Sequence, residues 1–325
     1  EKEHAIFLKP FGIRDSLYLG VTVFLYVDLR DPRSLLKEQD LWKTVPDQLG
    51  ENPVLDMGMP KPRGEVLVTG ACCAPRGTRR PALEVSASVG DLRKTLHVFG
   101  DRHWTSARTI SDPEPFETVP VTWGRAFGGP GFDPNPKGKG MAPITLADGR
   151  NRVPLPNIEA PDRLIGSPSD RPEPAGFGPL EVMWPQRYRK QGTYDERWQR
   201  ERWPHFPDDM NYEFFNAAPE DQFLAGYFRG DEAIEIRNMH PDMPVIQSQL
   251  PDRRIRCFAT RQTDLASEET VFEEVKTRID TVWLFPGILR GVVLYRGTTG
   301  LLDDEYADVQ RLFVATENGA ETPQP

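Results

Sequence analysis

Proline sets the first limit on what this chain can become: 32 of its 325 residues are proline, about twice the roughly 5% of an average protein. A proline has no backbone N–H and a locked φ, so long helices and central strands are excluded wherever it is dense. Fifteen of the prolines and ten glycines fall in the 76 residues from Ser111 to Gln186. Regular structure cannot persist through such a stretch. Its composition first suggests a disordered linker, yet Phe116, Trp123, Phe127, Phe132, Phe177 and Trp184 are spread along it. Aromatics at that density predict an ordered, irregular segment laid over a core.

The flanks read as strands. Leu17, Leu19, Val21, Val23, Leu25 and Val27 recur at every second position, the period of a strand with one buried face. The alternate residues Tyr18, Thr22, Phe24 and Tyr26 predict a second face half covered. Leu83 to Val89 and Leu96 to Phe99, joined through Gly90-Asp91, predict a hairpin whose turn uses a positive φ at glycine. Ile255, Cys257 and Ala259 alternate with Arg254, Arg256 and Phe258, and Ile279–Phe285 and Gly291–Tyr295 flank Pro286-Gly287 as another hairpin. Two helical segments are expected besides one or two short helices in Ser34 to Leu49. Thr193-Tyr194-Asp195-Glu196 has capping-box spacing and predicts a helix over 194–203, stopped by Pro204. Asp303 to Glu317, with Tyr306, Val309, Leu312 and Phe313 on one face, predicts a C-terminal helix. The expected fold class is therefore α+β, predominantly antiparallel β, with the long Pro/Gly-rich segment and that helix. The expected domain is single, 1–319: β-rich 1–110, an ordered wrap 111–186, a short helical part 187–224, β-rich 225–300, the helix 303–317, and a frayed tail 320–325.

Charge and cysteine narrow the partners. Forty Lys+Arg against 49 Asp+Glu leave a net charge of −9 without any block of one sign, so neither nucleic acid nor an anionic membrane is an expected partner. The longest uncharged run, Ser16 to Val27, is 12 residues, well short of the roughly 20 of a spanning helix. Three cysteines, Cys72, Cys73 and Cys257, build no even framework and point to the cytoplasm rather than an oxidising compartment. The start at Glu1 rather than Met leads us to expect residues ahead of it in the natural protein.

The search for chemistry is mostly negative: no G-x-S-x-G, H-E-x-x-H, P-loop, C-x-x-C or strand-borne G-x-G-x-x-G occurs. The loop Arg125 to Gly131 offers amides to an anion, but no helix follows, and turn punctuation accounts for its glycines. His97, Asp101, His103 and His240 are metal-ligand types whose spacing does not converge without a bend, so neither metal nor cofactor is expected. Adjacent Cys72 and Cys73 read as strand residues, one of them a small buried hydrophobe.

Long strings in one order resemble a known family. They include Val98-Phe99-Gly100-Asp101-Arg102, Trp123-Gly124-Arg125-Ala126-Phe127-Gly128-Gly129, Phe215-Asn216-Ala217-Ala218-Pro219-Glu220-Asp221-Gln222, Phe228-Arg229-Gly230-Asp231-Glu232 and Asn238-Met239-His240-Pro241. By these the chain resembles the bacterial domain-of-unknown-function 2169 proteins of type VI secretion gene clusters, from Leu19 to Gly297. The resemblance implies a cytoplasmic, non-catalytic adaptor or chaperone that binds a secreted effector and helps load it onto the spike, a valine-glycine-repeat G trimer with or without a PAAR tip.

The candidate protein-binding residues are Tyr188, Tyr194, Trp198 and Trp203, which stand among Arg187, Arg189, Lys190, Arg197, Arg200 and Arg202; Trp, Tyr and Arg are the usual interface anchors. The competing reading places both indoles in the core. Arg125, Arg229 and Asp231 are expected to be structural, serving backbone groups of irregular loops. The alternative function is an enzyme, a hydrolase that would draw an acid or base from Asp101, His103, Glu173 or Asp221.

Overall fold

The structure, a computed structural model, describes residues 4–13, 16–35, 59–106, 108–145, 149–262, 269–302 and 309–318. Three larger sheets organise it, and we number their strands in chain order. The first contains β1 (His4–Ile13), β2 (Ser16–Asp28), β3 (Asp31–Leu35), β4 (Glu65–Val68), β12 (Arg278–Phe285) and β13 (Arg290–Leu301), in the order β1-β2-β13-β12-β4, with β3 also pairing with β2. The second contains β5 (Ala82–Val89), β6 (Leu92–Phe99), β7 (Ile158–Glu159), β8 (Ala233–Arg237) and β9 (Val245–Gln249), ordered β7-β6-β5-β8-β9. The third contains β10 (Arg253–Gln262), β11 (Thr270–Val275) and β14 (Val309–Asn318), with β10 central. Pairing within these sheets is antiparallel except for β4 against β12.

Side-chain alternation fixes the layers. Val21, Val23, Leu25 and Val27 of β2 enter one core with Val85, Ala87, Leu96 and Val98 of the second sheet and with Ile255, Cys257, Ala259 and Val275 of the third. The smaller sheets thus both pack on one face of the six-stranded sheet. The other face is buried more deeply than its sequence suggests: Phe24 and Tyr26 cluster with Phe285, Val292 and Leu294, and Tyr26 is 1% exposed. The hairpin β5–β6 turns through Gly90-Asp91, with Gly90 at φ 58°, as the sequence predicts. Likewise β12–β13 flank a 3₁₀ turn at Pro286–Ile288.

The chain is essentially all-β, so the α+β class expected from the sequence is overturned. Among the described residues α-helix is confined to α1 (Pro185–Tyr188) and α2 (Glu196–Glu201). The expected helix 303–317 fails where it can be seen: residues 309–318 are β14, paired with β10 from Arg253↔Asn318 onward, while 303–308 lie outside the described residues. The same stretch satisfies both periods, since Val309, Leu312 and Phe313 are helix-spaced while Leu312 and Val314 alternate. The open edge of β10 decides, setting Leu312 and Val314 opposite Ala259 and Cys257 over the core. The helix expected at 194–203 is shorter, and its cap is Asp195, whose carboxylate accepts from the Trp198 amide at 2.8 Å. Thr193 instead donates its hydroxyl to Asp209 at 2.7 Å. Of the helices expected in Ser34 to Leu49, Ser34 and Leu35 end β3 and the rest lies outside the described residues, as does the tail 320–325.

Through 111–186 the described residues run as loops, two- or three-residue strands and single helical turns, and Ile158–Glu159 among them joins the edge of the second sheet. Phe116 and Phe177 enter the main core, and Phe127, Leu155 and Ile165 form a smaller one. Trp123 donates its indole N–H to the Pro179 carbonyl at 2.9 Å and Trp184 to that of Pro134 at 3.1 Å. These bonds satisfy polar groups that a helix or sheet would otherwise have taken.

Candidate functional site

The segment 187–215 lies over the second face of the six-stranded sheet at its β1–β2 end. Phe206, Tyr212, Phe214, Phe215 and Met210 pack there on Phe11 and Tyr18, and the Phe206 amide donates to the Gly12 carbonyl at 3.2 Å. This anchoring holds α2 at the surface. Tyr194 and Trp198 meet edge-on with centroids 4.6 Å apart, and Trp198 meets Trp203 edge-on at 5.6 Å. The middle ring is the fixed one: Trp198 donates its indole N–H to the His205 carbonyl at 2.9 Å. The outer two are open, Tyr194 46% and Trp203 68% exposed. The Trp203 indole N–H has no partner among the described residues.

Of the two readings weighed for the indoles, Trp203 is at the surface and Trp198 is the partly buried support of the cluster. Tyr188, at the end of α1, is 43% exposed and makes no ring contact with the other three among the described residues. The arginines divide. Arg187 is buried and donates to the carbonyls of Leu180 at 2.6 Å and Phe214 at 2.8 Å, so it is a staple rather than part of a surface. Arg197 pairs with Glu201 at 2.9 Å and Arg202 with Asp208 at 3.0 Å. Partial burial pushes the Tyr194 phenol above its ordinary pKa, with Asp209 and Tyr212 adding to it, and the hydroxyl, neutral at pH 7 as any ordinary phenol is, can donate a hydrogen bond. The arrangement can supply a large, rigid aromatic contact with polar tips, which is the chemistry of a protein-binding hot spot.

The loop residues expected to be structural differ in setting. Arg125 donates to the Asn157 side-chain oxygen at 3.0 Å and lies 3.8 Å from Asp101. Arg229 and Asp231 are at the surface, paired at 3.1 Å; Glu232 is the residue that accepts from the Arg229 and Gly230 amides there, at 2.7 and 2.9 Å.

Asp101 sits in a polar cleft of about 470 Å³ lined by Arg79, Gly100, Glu114, Arg125 and Asn157. Burial raises its pKa, but the Asn157 hydrogen bond at 2.9 Å and Lys139 at 3.2 Å outweigh it and hold the carboxyl below its ordinary value. His103 is engaged by Ser111 and Arg152, Asp221 pairs with Lys94 at 2.7 Å, and Glu173 is exposed. No hydrogen bond or ion pair joins any two of these four among the described residues. His97 contacts Glu84, and His240 accepts from the Asp242 and Met243 amides.

Two features escape sequence reasoning. Lys61, Glu65, Asp280 and Arg296 form a buried charged cluster. Lys61 pairs with Glu65 and Arg296 with Asp280, and the Lys61 amide donates to Asp280 at 3.3 Å. One Glu65 oxygen also accepts from Asn216, Ala217 and Ala218 at 2.8 to 3.1 Å. The second is a trio of partly or largely exposed phenylalanines, Phe258, Phe272 and Phe313, on the outside of the third sheet. Its one sequence signal was Phe258, an aromatic in the polar register of an alternating strand.

A family model described as an uncharacterized protein conserved in bacteria (DUF2169) matches residues 14–296. No curated protein and no solved structure matches the chain. No helix among the described residues is long and apolar enough to cross a membrane.

Proposed function

The chain belongs to the DUF2169 family, and from that premise we propose that it is a non-catalytic adaptor or chaperone of a type VI secretion system. In this reading it works in the cytoplasm, binds a secreted effector, and helps load it onto the spike protein. The observation that carries the reading is the surface made by Tyr194, Trp198 and Trp203: two half-open to open aromatic rings braced on a third that is hydrogen-bonded in place. Such rings give large contact area at small entropic cost, so few of them dominate binding. The gene-cluster context comes from the resemblance of the sequence strings and supplies the partners.

Trp203 is the residue to test. Its ring is mostly in solvent, so Trp203→Ser is expected to leave the melting temperature within about 2 °C, the size of a surface substitution's effect. The same variant is expected to lose most of the effector that co-purifies from the native cytoplasm. Trp198→Ala removes the bond to His205 and is expected to lower the melting temperature as well. Full effector retention by Trp203→Ser and by Tyr194→Ser would remove this surface from the reading.

A further inference from the structure

The third sheet presents its core face through Ile255, Cys257 and Ala259, which leaves Arg254, Arg256, Phe258 and Thr260 of β10 pointing outward. Register sets Phe258 opposite Phe313 of β14 and Thr260 opposite Phe272 of β11. The rings of Phe258 and Phe272 stack at 5.0 Å with planes 12° apart, and Phe313 lies 6.3 Å from Phe272. Phe272 is 65% exposed and Phe313 46%. A contiguous group of phenylalanines on a sheet face, open to water, is the mark of a surface that something covers.

The rim says what kind of partner fits. Arg256 lies 4.7 Å from the Phe258 ring centroid and forks onto both Glu274 oxygens at 2.9 and 3.1 Å, with Glu317 3.6 Å away. It therefore engages Glu274 and Glu317, the two carboxylates that the described strand residues place on this face. Arg254, opposite Glu317 in the register, exerts a Coulombic pull on Glu274 but makes no hydrogen bond or close ion pair among the described residues, and neither does Arg311, which projects from the same face. Among the described strand residues, three arginines against two carboxylates leave this face positive, on a chain whose net charge is −9. Two copies meeting through this face would bring those arginines together, which disfavours self-association.

We propose that the outer face of β11-β10-β14 is a docking surface for an acidic amphipathic segment of another protein, whose apolar side chains cover Phe272 and Phe313 and whose carboxylates pair with Arg254 and Arg311. The face lies on the opposite side of the six-stranded sheet from the Tyr194–Trp203 surface and shares no residue with it. Both surfaces can therefore be occupied at once, and this assignment does not rest on the adaptor reading.

The probe is a labelled synthetic peptide of about 18 residues, with Leu and Phe on one helical face and Glu on the other, compared by fluorescence anisotropy with its Lys-for-Glu counterpart. The full chain is expected to bind the Glu peptide, and the Lys peptide roughly tenfold more weakly. Phe272→Ser with Phe313→Ser is expected to weaken the Glu peptide roughly tenfold at unchanged melting temperature. Arg254→Glu with Arg311→Glu is expected to reverse the preference between peptides, a result that stands even if the phenylalanine variant misfolds. No binding of the Glu peptide, equal binding of both, or indifference to both pairs of substitutions overturns the assignment. So does dimerisation in sedimentation that the phenylalanine variant abolishes, or adsorption to phosphatidylserine vesicles with the same dependence. Trp203→Ser serves as the control and is expected to bind the peptide as the wild type does; lost effector capture with intact peptide binding would bear on the other surface alone.

Discussion

Asp28 shows how much one side chain can be made to do at the end of a strand. It closes β2 and accepts from the Arg30 amide at 3.0 Å and its Nε at 2.9 Å, with Arg290 of β13 at 2.7 Å. The Arg30 side-chain bond, aided by Arg290 and opposed by burial, holds the carboxyl at about 2, below its ordinary 3.8. A depressed carboxylate contributes stability that is complete above the unfolded value and is lost as pH falls through the folded one. The melting temperature is therefore expected to drop between pH 4 and about pH 2, and Asp28→Asn is expected to be less stable at neutral pH but to lose less over that interval. Thermal unfolding followed by circular dichroism from pH 2 to 7 reads both; parallel curves for the two proteins would show that the clamp contributes nothing. At the same scale, burial pushes the Cys72 and Cys257 thiols up to about 12, which makes them poor nucleophiles in the folded chain.

Among the elements, short β4 depends most on a single residue. It pairs in parallel with β12 at the end of the six-stranded sheet, and Glu65 at its start binds Lys61 while accepting from the amides of Ala217 and Ala218. Gln222 adds a second tie, donating to the carbonyls of Val66 at 2.6 Å and Phe177 at 3.0 Å. Removing one partner of a buried pair leaves an uncompensated charge, at a cost of about 3 to 5 kcal/mol. Glu65→Gln is expected to destabilise by that order in urea unfolding. Lys61→Met added to it should recover a large part, because the stranded ammonium is gone. Equal losses in the single and double variants would mean that the Ala217 and Ala218 contacts, not the charge pair, carry the effect. The string Phe215 to Gln222, met first as a family likeness, is in physical terms the strap that this strand is tied to.

For the whole molecule, the Pro/Gly-rich stretch determines how the two strand-rich ends come to share a core. Phe116, Ile158 and Phe177 are buried with residues of the first and second sheets, so a cut within 111–186 is expected to leave the pieces together. Limited trypsin digestion followed by size-exclusion chromatography checks this: nicked chains should co-elute at the intact position, and two separately eluting folded fragments would contradict it. Much of this architecture was legible beforehand from particular residues. Alternation of Val21, Val23 and Leu25 specified β2, Gly90-Asp91 specified a hairpin turn, and the aromatics between Ser111 and Gln186 marked buried points in a stretch that proline denies to regular structure. These are local or pairwise consequences of backbone geometry and apolar periodicity, and a chain carries them wherever it goes. The exposure of Trp203 and the strand at Val309–Asn318 were not of that kind. A tryptophan suits a core or an interface equally well, and a stretch holding both periods takes the structure of whatever edge it meets. Likewise Phe258, Phe272 and Phe313 come from three strands and become a surface only through cross-strand register. Lys61, Glu65, Asp280 and Arg296 become a cluster only when sheet pairing brings residues 219 positions apart into one dry site. Periodicity and turn chemistry were thus determined by the sequence alone, whereas which face meets water, which edge captures a segment and which charges share a core were decided by tertiary packing, because each depends on residues that adjacency along the chain does not relate.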